Sequence, residues 1–387
     1  MPDTGVASKL RDEIRRAGPI PFADFQAAAL DAFFARGGGA GRAGRDFVTS
    51  PEVGPLFGAV LARALDETWV RLDRPDPFVL VDAGGGRGRL LASVLAAHPA
   101  CAPALRAVLV ERSARLRADA REVLALEPPD AALGPFAPTT HDEPPAPVTG
   151  VGPVVTALDD LPDVPLTGVV VANELLDNLP VRIVERAPDG WREVRVGLDD
   201  SRFVEVPVDA SPELAHDADE VAGDAPAPPG DRLPVPVGAA GWLERSATTL
   251  RRGELWVIDY ADETGGLLAR GPTGPSGWLR TYRGHGRGSD PLDDPGGQDI
   301  TTDVPLTWLR RAAGRTGYEV TLETTQAEWL RGLGLDELVA EGRRQWEARA
   351  HVGDLAAIAG RSRTVEAAAL TDRSGLGLHR VVVLARR

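Results

Sequence analysis

Short, continuous apolar runs alternate with helical patterns along this chain of 387 residues, and this alternation restricts its fold more than any other feature. Four of the five runs are apolar at every position, and the weaker third run is apolar except at Thr156, so we expect strands that are buried on both faces. The runs are 78–81, 107–110, 154–156, 169–172 and 255–258. Strands of this kind, separated by helices, predict an α/β protein with a mostly parallel sheet and helices on both faces.

A glycine-rich turn lies between the first strand and the helix that follows it. Glycine allows the backbone to approach a ligand, and the helix N-terminus offers N–H groups to an anion. The dinucleotide pattern G-x-G-x-x-G fails here, because a register starting at Gly84 puts Arg89 at the third glycine. The pattern acid-x-G-x-G-x-G fits, and it resembles the S-adenosylmethionine loop of Rossmann-like methyltransferases. It is formed by Asp82, Gly84, Gly86 and Gly88, with Gly85 inside it.

That resemblance implies a role for Glu111, which ends the second strand. In such proteins the acid at this position accepts hydrogen bonds from both ribose hydroxyls of the cofactor. The alternative is a turn that only packs a helix on a sheet, with Glu111 as a solvated strand end.

Composition excludes several kinds of chemistry. Lys9 is the only lysine and Cys101 the only cysteine, so a phosphate-binding loop with its lysine, Schiff-base catalysis, an internal disulfide and a four-thiolate zinc site are all excluded. We predict no metal site. The net charge of -14 argues against a nucleic-acid partner. No apolar run reaches about 18 residues and no secretory signal is visible, so we expect no membrane partner and a cytoplasmic location.

An acidic segment, 171–180, follows the fourth strand. Ligands of open α/β sheets bind beyond the carboxyl ends of strands, so this segment is expected to face the cofactor's methyl group. Glu174 and Asp177 are three residues apart and would share one face of a helical turn. The pair could hold a cationic acceptor, or it could simply be two acids favoured by a helix N-terminus.

The other segments complete the predicted architecture. We expect a helix over 5–17 and a helix that starts at Thr49-Ser50-Pro51-Glu52, where the hydroxyl group would cap it. Alternating segments at 181–186, 191–198 and 203–208 predict a β-meander, followed by a Pro/Ala/Asp linker to about 237. Residues 262–303 read as a long Gly-rich loop, and strands near 318–323 and 378–385 would close the sheet.

Several of these motifs occur in the order seen in the MidA-like methyltransferases, and the chain resembles that family from about residue 18 to about residue 335. The motifs are D-F-V-T-S-P-E-V at 46–53, the glycine loop, V-E-R-S at 110–113, A-N-E-L-L-D-N-L-P at 172–180, Asp259-Tyr260 and P-G-G-Q-D-I-T at 295–301. The resemblance implies a class I methyltransferase fold with a seven-stranded sheet and S-adenosyl-L-methionine as the cofactor. It also implies an N-terminal helical cap over the cofactor site (1–75) and a core (76–387) that carries an insertion (181–250).

Site residues follow from the same resemblance. Thr49, Ser50, Pro51 and Glu52 are expected to cap the cofactor site, together with Asp82, the glycines and Glu111 as cofactor-binding residues. Asn173, Glu174, Asp177 and His285 are expected in the active centre, although His285 could equally be a solvated loop residue. Tyr282 and Asp299 also match polar positions of the family. Because the family includes an arginine methyltransferase of mitochondrial complex I assembly, the implied acceptor is an arginine side chain of a protein.

One departure leaves the acceptor open. The family carries a tyrosine-rich stretch before the T-S-P-E segment, whereas this chain has Leu30-Asp31-Ala32-Phe33-Phe34 and a Gly/Arg loop with Arg45 in place of glycine. A small-molecule methyltransferase and a non-catalytic assembly factor that binds the cofactor therefore remain alternatives. The acidic stretch 199–224 reads as a solvated loop or as a guide for a basic partner, and the oligomeric state is not predicted.

Overall fold

The computed structural model of the chain describes residues 5–38, 48–134, 149–274, 276–284 and 286–387. The chain divides into two compact units. One, the sheet unit, comprises 48–173, 246–258 and 318–387. The other, the meander unit, comprises 1–47, 174–245 and 259–317. The predicted boundary at residue 75 stays a prediction.

The sheet unit contains the predicted seven-stranded sheet. From one edge to the other its strands are Val154–Leu158, Leu105–Val110, Phe78–Ala83, Leu166–Asn173, Leu250–Asp259, Arg380–Arg386 and Glu319–Thr325. The first five strands pair with one another in parallel, and the last two strands pair antiparallel. This arrangement confirms the predicted sheet.

Helices of the sheet unit pack against this sheet through apolar side chains. Phe57, Leu61 and Trp256 are almost completely buried in one apolar core, and the rings of Trp256 and Trp329 meet edge to face at 5.6 Å. Burial of such apolar area contributes roughly 25 cal/mol per Å². The helices are Pro55–Arg71, Arg89–Ala96, Ala114–Ala120, Pro129–Leu133, Gln326–Gly332, Leu335–Arg349 and Leu355–Leu370, with one-turn pieces at Ser50–Val53, Ala102–Ala104 and Leu376–Leu378.

The helix predicted to continue from Pro51 is interrupted at Gly54. A short helix, Ser50–Val53, ends there, and Pro55 opens the next one. The residue before a proline is kept out of the α region, and Gly54 accordingly leaves it with φ 159° and ψ −178°. A side chain at Gly54 would collide with the carboxylate of Glu366.

The meander unit contains the predicted β-meander, with strands Arg182–Ala187, Gly190–Asp199 and Arg202–Asp209. Two strands that the sequence pattern did not reveal join it, Ile20–Pro21 beside the second strand and Arg232–Val235 beside the first. Helices Gly5–Ala17 and Phe22–Ala35 belong to the same unit, and the first confirms the predicted helix over 5–17. Helix Val237–Thr249 begins in this unit and ends in the sheet unit.

Two segments predicted to be irregular are ordered. The Pro/Ala/Asp linker contains helix Pro212–Ala222, whose start is capped by Ser211, because its Oγ accepts a hydrogen bond from Leu214 N at 3.3 Å. The loop 262–303 contains helix Thr264–Arg270 and strands Leu279–Arg283, Gly286–Arg287 and Asp299–Thr302. Buried Gln298 orders this loop by donating to the carbonyls of Asp290 and Asp293 at 2.8 and 2.9 Å. Strands Ala261–Asp262 and Val304–Pro305 pair beside it, and helix Leu306–Arg315 follows.

Candidate functional site

The glycine loop lies between strand Phe78–Ala83 and helix Arg89–Ala96 in the sheet unit. Gly84, Gly86 and Gly88 have φ values of 71°, 54° and 74°, which L side chains rarely adopt. A Cβ on Gly85 would come within 2.5 Å of Asp82 Oδ2, whereas a Cβ on Gly86 would meet no heavy atom within 4 Å. The loop therefore packs tightly at Gly85 and presents an open backbone surface at Gly86.

Asp82 lies beneath this loop and is 2% exposed. Its Oδ2 has no hydrogen-bond partner among the described residues. Burial is the main cause that raises its pKa to about 7, and the charge of Glu111 adds to it. A buried carboxyl with an unsatisfied oxygen is costly unless a ligand or water completes its hydrogen bonds.

Glu111 connects the glycine loop with the second strand. Its Oε2 accepts a hydrogen bond from Gly86 N at 3.1 Å, and its Oε1 accepts one from Ser113 N at 2.8 Å. Burial raises its pKa, while these two N–H groups oppose the rise. Each carboxylate oxygen can accept a second hydrogen bond, so the carboxylate is oriented and keeps acceptor capacity for two hydroxyls.

The Thr49–Glu52 segment is fixed by two buried contacts within the sheet unit. Ser50 Oγ donates to Gln326 Oε1 at 2.9 Å, and Gln326 Nε2 donates to the carbonyl of Leu370 at 3.0 Å. The side chain of Thr49 makes no capping hydrogen bond, so the predicted hydroxyl cap is wrong. Pro51 and Glu52 are half-buried.

Asn173 ends the fourth strand, and Glu174 begins the acidic segment of the meander unit. Glu174 has φ 51°, and the 3₁₀ turn that follows starts only at Leu176. The expectation that Glu174 and Asp177 share one helical turn is therefore wrong. Glu174 is half-buried, whereas Asp177 is 3% exposed.

What organises this segment is Asp259, at the end of strand Leu250–Asp259. Its Oδ2 accepts from Leu176 N at 2.8 Å and from Asp177 N at 3.3 Å, and its Oδ1 accepts from Tyr260 N at 2.8 Å. Burial and the charges of Asp177 and Glu174 raise the pKa of Asp259 well above its usual value. The carboxyl groups of Glu174 and Asp177 thus surround a third, buried carboxyl group.

Arg280, Asp303 and Tyr260 complete this acidic site, and no sequence pattern predicted a role for them. Arg280 pairs with Asp303, and its guanidinium carbon lies 4.7 Å from the ring centroid of Tyr260. An arginine in a Gly-rich segment reads as solvated, yet Arg280 is 7% exposed. Its partner lies 23 positions away in the chain, so local sequence carries no signal for the burial.

Other predictions have different outcomes. His285 lies outside the described residues, as do Arg45 and the first two positions of the D-F-V-T-S-P-E-V motif. Asp299 is buried and accepts from Asn178 Nδ2 at 3.2 Å. Within the described part of the chain, no group of three His, Cys, Asp or Glu residues could hold a metal ion, and no helix there is long and apolar enough to cross a membrane.

A groove of about 830 Å³ lies elsewhere in the sheet unit. It is lined by residues such as Arg71, Glu254 and Trp329, and by none of the predicted site residues. This groove therefore coincides neither with the glycine loop nor with the acidic segment.

The fold and the loop define a class of protein. Strand Phe78–Ala83 lies between the second and fourth parallel strands, so the order of the strands reverses at it. In open α/β sheets ligands bind at this switch point, at the carboxyl ends of the strands. The glycine loop, Glu111 and Asn173 all follow those ends, as the pairs Ala83 with Val110 and Ala83 with Ala172 show. This is the arrangement of a Rossmann-like, nucleoside-binding enzyme.

Comparison with known proteins identifies the family. Residues 60–324 match a family of S-adenosyl-L-methionine-dependent methyltransferases, and the chain belongs to it. A crystal structure of a Burkholderia thailandensis protein bound to S-adenosyl-homocysteine superposes with a TM-score of 0.79 at 29% identity, over 99% of this chain and 92% of that one. The predicted fold class, MidA-like family, methyltransferase class and S-adenosyl-L-methionine cofactor are thereby confirmed.

Curated relatives carry more specific names. The mouse protein arginine methyltransferase NDUFAF7, mitochondrial, is 28% identical over 353 residues, which are 86% of this chain and 75% of the mouse protein. The Xenopus tropicalis protein of the same name is 27% identical, over 75% of this chain and 66% of its own length. A Drosophila melanogaster homologue is 37% identical over 94 residues, which are 23% of this chain and 21% of the fly protein. The match thus spans about a fifth of the fly protein and two thirds to three quarters of the two vertebrate proteins.

Proposed function

We propose that the protein transfers a methyl group from S-adenosyl-L-methionine to an arginine side chain of a protein. The observation that carries the proposal is the acidic site, in which half-buried Glu174 lies near the buried carboxyl groups of Asp177 and Asp259. Two relatives named protein arginine methyltransferases, from mouse and frog, support the choice of acceptor.

The cofactor would be held by Asp82, the glycine loop and Glu111. The residues fit it, because Asp82 Oδ2 lacks a partner among the described residues, Gly86 is open, and Glu111 keeps an acceptor position on each oxygen. When bound, the cofactor supplies an electrophilic methyl group on a sulfonium. Thr49 to Glu52 would cover it, with Ser50 anchored to Gln326.

The acceptor would be held by Glu174. A guanidinium presents a planar fork of N–H donors, and a carboxylate accepts two of them in a charge-assisted pair. Glu174 follows Asn173 directly, and Asn173 ends a strand at the same sheet edge as the glycine loop. Alignment of one acceptor nitrogen with the methyl carbon would supply most of the rate enhancement.

A small-molecule acceptor is the second candidate, and one observation favours it. Near its end the helix Phe22–Ala35 carries Phe33 and Phe34, whose rings meet at 5.2 Å, at a stretch where the resemblance to the MidA-like family implies tyrosines. Hydroxyl groups that could bind a peptide are thus missing from this position. The proposed cytoplasmic location also stays a prediction, since the relatives' names place them in mitochondria.

Labelling separates the two acceptors. Tritiated S-adenosyl-L-methionine is incubated with the protein and either a lysate or a metabolite extract, and the products are examined by mass spectrometry. Methylarginine in protein is the expected result, and label confined to metabolites would overturn the arginine proposal. Gly86→Val is the matched negative control, because its side chain would occupy the open surface of the loop.

A further inference from the structure

Near Glu174, the meander unit contains a set of buried charges that we call the Asp177 cluster. Its members are Asp177, Asp259, Arg280 and Asp303, with exposed fractions of 3%, 0%, 7% and 5%. Three acids and one base in a buried space leave an excess of negative charge, which low-dielectric surroundings make costly. The cations that pair with these acids therefore help to decide which acid carries charge.

Hydrogen bonds of its backbone hold Asp177 in place, whereas its two carboxyl oxygens are not both hydrogen-bonded. Its N–H donates to Asp259 Oδ2 at 3.3 Å, and its carbonyl accepts from Thr302 Oγ1 at 3.3 Å. Its Oδ1 has no hydrogen-bond partner within the described part of the chain. Thr302 directly precedes Asp303, and Arg280 pairs with Thr301 on the neighbouring strand, so these contacts place Arg280 and Asp303 beside Asp177.

Arg280 is held in place from two sides. It pairs with Asp303 Oδ1 and lies over the ring of Tyr260. Asp303 Oδ2 in turn accepts from Arg270 Nη2 at 2.7 Å, and Arg270 also contacts Asp262 at 3.2 Å. This row of alternating charges fixes the guanidinium of Arg280 in the interior.

The cluster acts on the pKa of Asp177 in two directions. Burial raises that pKa to about 7, the cation of Arg280 lowers it, and the anion of Asp303 raises it. Burial and the charges of Asp177 and Glu174 raise the pKa of Asp259 well above its usual value. The titratable or charged groups around the four members are Glu174, Tyr260, Arg270, Tyr282 and Asp299.

We propose that Arg280 and Asp303 are positioning residues whose opposite charges control the ionisation of Asp177. The negative charge of Asp177 then helps to hold a cationic acceptor at Glu174. The inference rests on the proposed function, since it assigns Asp177 an electrostatic role in the same site. Asp177 acts through its field, while Glu174 makes the contact. Removal of the two positioning residues must then change the active protonation state in opposite directions.

The test is a pair of variants, Arg280→Gln and Asp303→Asn, read in two ways. First, ¹³C spectra of aspartate-labelled protein follow the titration of Asp177, which is assigned by its loss in Asp177→Asn. Second, the acid limb of kcat/KM is measured against pH. With Arg280→Gln both should move up by about one pH unit, a tenfold loss of kcat/KM below the limb. With Asp303→Asn both should move down.

Two further variants control the result. Arg280→Lys keeps the charge and should return the titration toward that of the wild type, which loss of packing alone would not do. Arg310→Gln removes an arginine that pairs with Glu263 on the exposed surface of the same unit, and it should change neither readout. If Arg280→Gln does not fold, Asp303→Asn is compared with Arg280→Lys, which keeps both charges. The comparison still shows whether loss of the Asp303 charge moves the titration of Asp177 down.

Shifts of the same sign in both variants, or no shift of Asp177, would overturn the inference. The carboxyl titration needs no turnover, so this outcome differs from failure of the proposed function, in which the wild type methylates no arginine at any pH. A titration that moves as expected while the pH–rate limb stays fixed would overturn the role of the charge in holding the acceptor.

Discussion

Gly86 donates its backbone N–H to Glu111 Oε2 at 3.1 Å, which ties the loop after the first strand to the acid after the second. Because Ser113 N occupies the other oxygen, the carboxylate has a fixed orientation before any ligand arrives. Preorganised acceptors bind a ligand without a further ordering cost. Glu111 therefore both shapes the glycine loop and is suited to hold the cofactor's ribose.

Glu111→Ala should weaken S-adenosyl-L-methionine binding by about 10- to 100-fold, the typical effect of losing hydrogen bonds to a charged group. Isothermal titration calorimetry gives the affinity. Glu122→Ala, at an exposed position of the same segment, serves as the matched control. An affinity within twofold of the wild type would contradict the assignment of Glu111.

Two neighbouring glycines should fail in different ways. Gly85→Ala should lower the free energy of unfolding by about 1–3 kcal/mol, because the new methyl group would overlap Asp82 and Leu109. Gly86→Ala meets no protein atom, so its stability cost should be about 1 kcal/mol, from the positive φ alone. Cofactor affinity should fall most in Gly86→Ala once each variant is compared in its folded state. Chemical denaturation measures the free energy of unfolding, and calorimetry measures the cofactor affinity. If the two variants lost the same stability and the same affinity, the contrast would be refuted.

Thr49 and Ser50 offer a similar contrast. Ser50→Ala should cost about 1–3 kcal/mol of unfolding free energy, since it leaves buried Gln326 Oε1 without its donor. Thr49→Ala should change stability by less than about 0.5 kcal/mol, because its hydroxyl caps nothing. Denaturation midpoints compare the two variants. A larger loss for Thr49→Ala would restore the capping role that the sequence suggested.

Asp82 should make stability depend on pH. Its pKa in the folded protein, about 7, lies above the value for an exposed aspartate, so its contribution is complete at low pH and is lost as pH rises toward 7. Asp82→Asn removes this dependence, so its free energy of unfolding should rise by about 3 kcal/mol relative to that of the wild type between pH 5 and pH 8. Urea denaturation at the two pH values measures it. The exposed Asp163→Asn is the control, and equal pH dependence in Asp82→Asn and wild type would show that the burial of Asp82 has no energetic effect.

Much of the sheet was predictable, because the local sequence of each strand indicates how deeply that strand is buried. A strand such as Leu166–Asn173 is apolar at most positions and buried on both faces, which few other structures allow. The meander followed from its alternating segments, and its first two strands are joined by a turn at Pro188-Asp189. The helix Pro212–Ala222 was missed, because its Pro/Ala/Asp composition is also that of a linker; only Ser211 before Pro212 marked its start.

The candidate site was predictable in part for a related reason. The glycine loop and Glu111 belong to one local pattern at strand ends, so their positions follow from the strands. Asp259 and Arg280 depend on partners far along the chain, at Leu176 and Asp303, and no local spacing reports such contacts. The positive φ of Glu174 likewise depends on its tertiary setting, because local propensity favours a helical turn there.

The most direct measurement of the central claim uses Glu174→Gln, which keeps the side chain's size and removes its charge. Binding of S-adenosyl-L-methionine is measured by calorimetry, and methyl transfer to an arginine-containing protein acceptor identified in the lysate is measured with labelled cofactor. We predict that cofactor affinity stays within about twofold of the wild type while transfer falls by about 100-fold or more, as expected when a buried charged pair with the acceptor is lost. Wild-type turnover of arginine by Glu174→Gln would contradict the account.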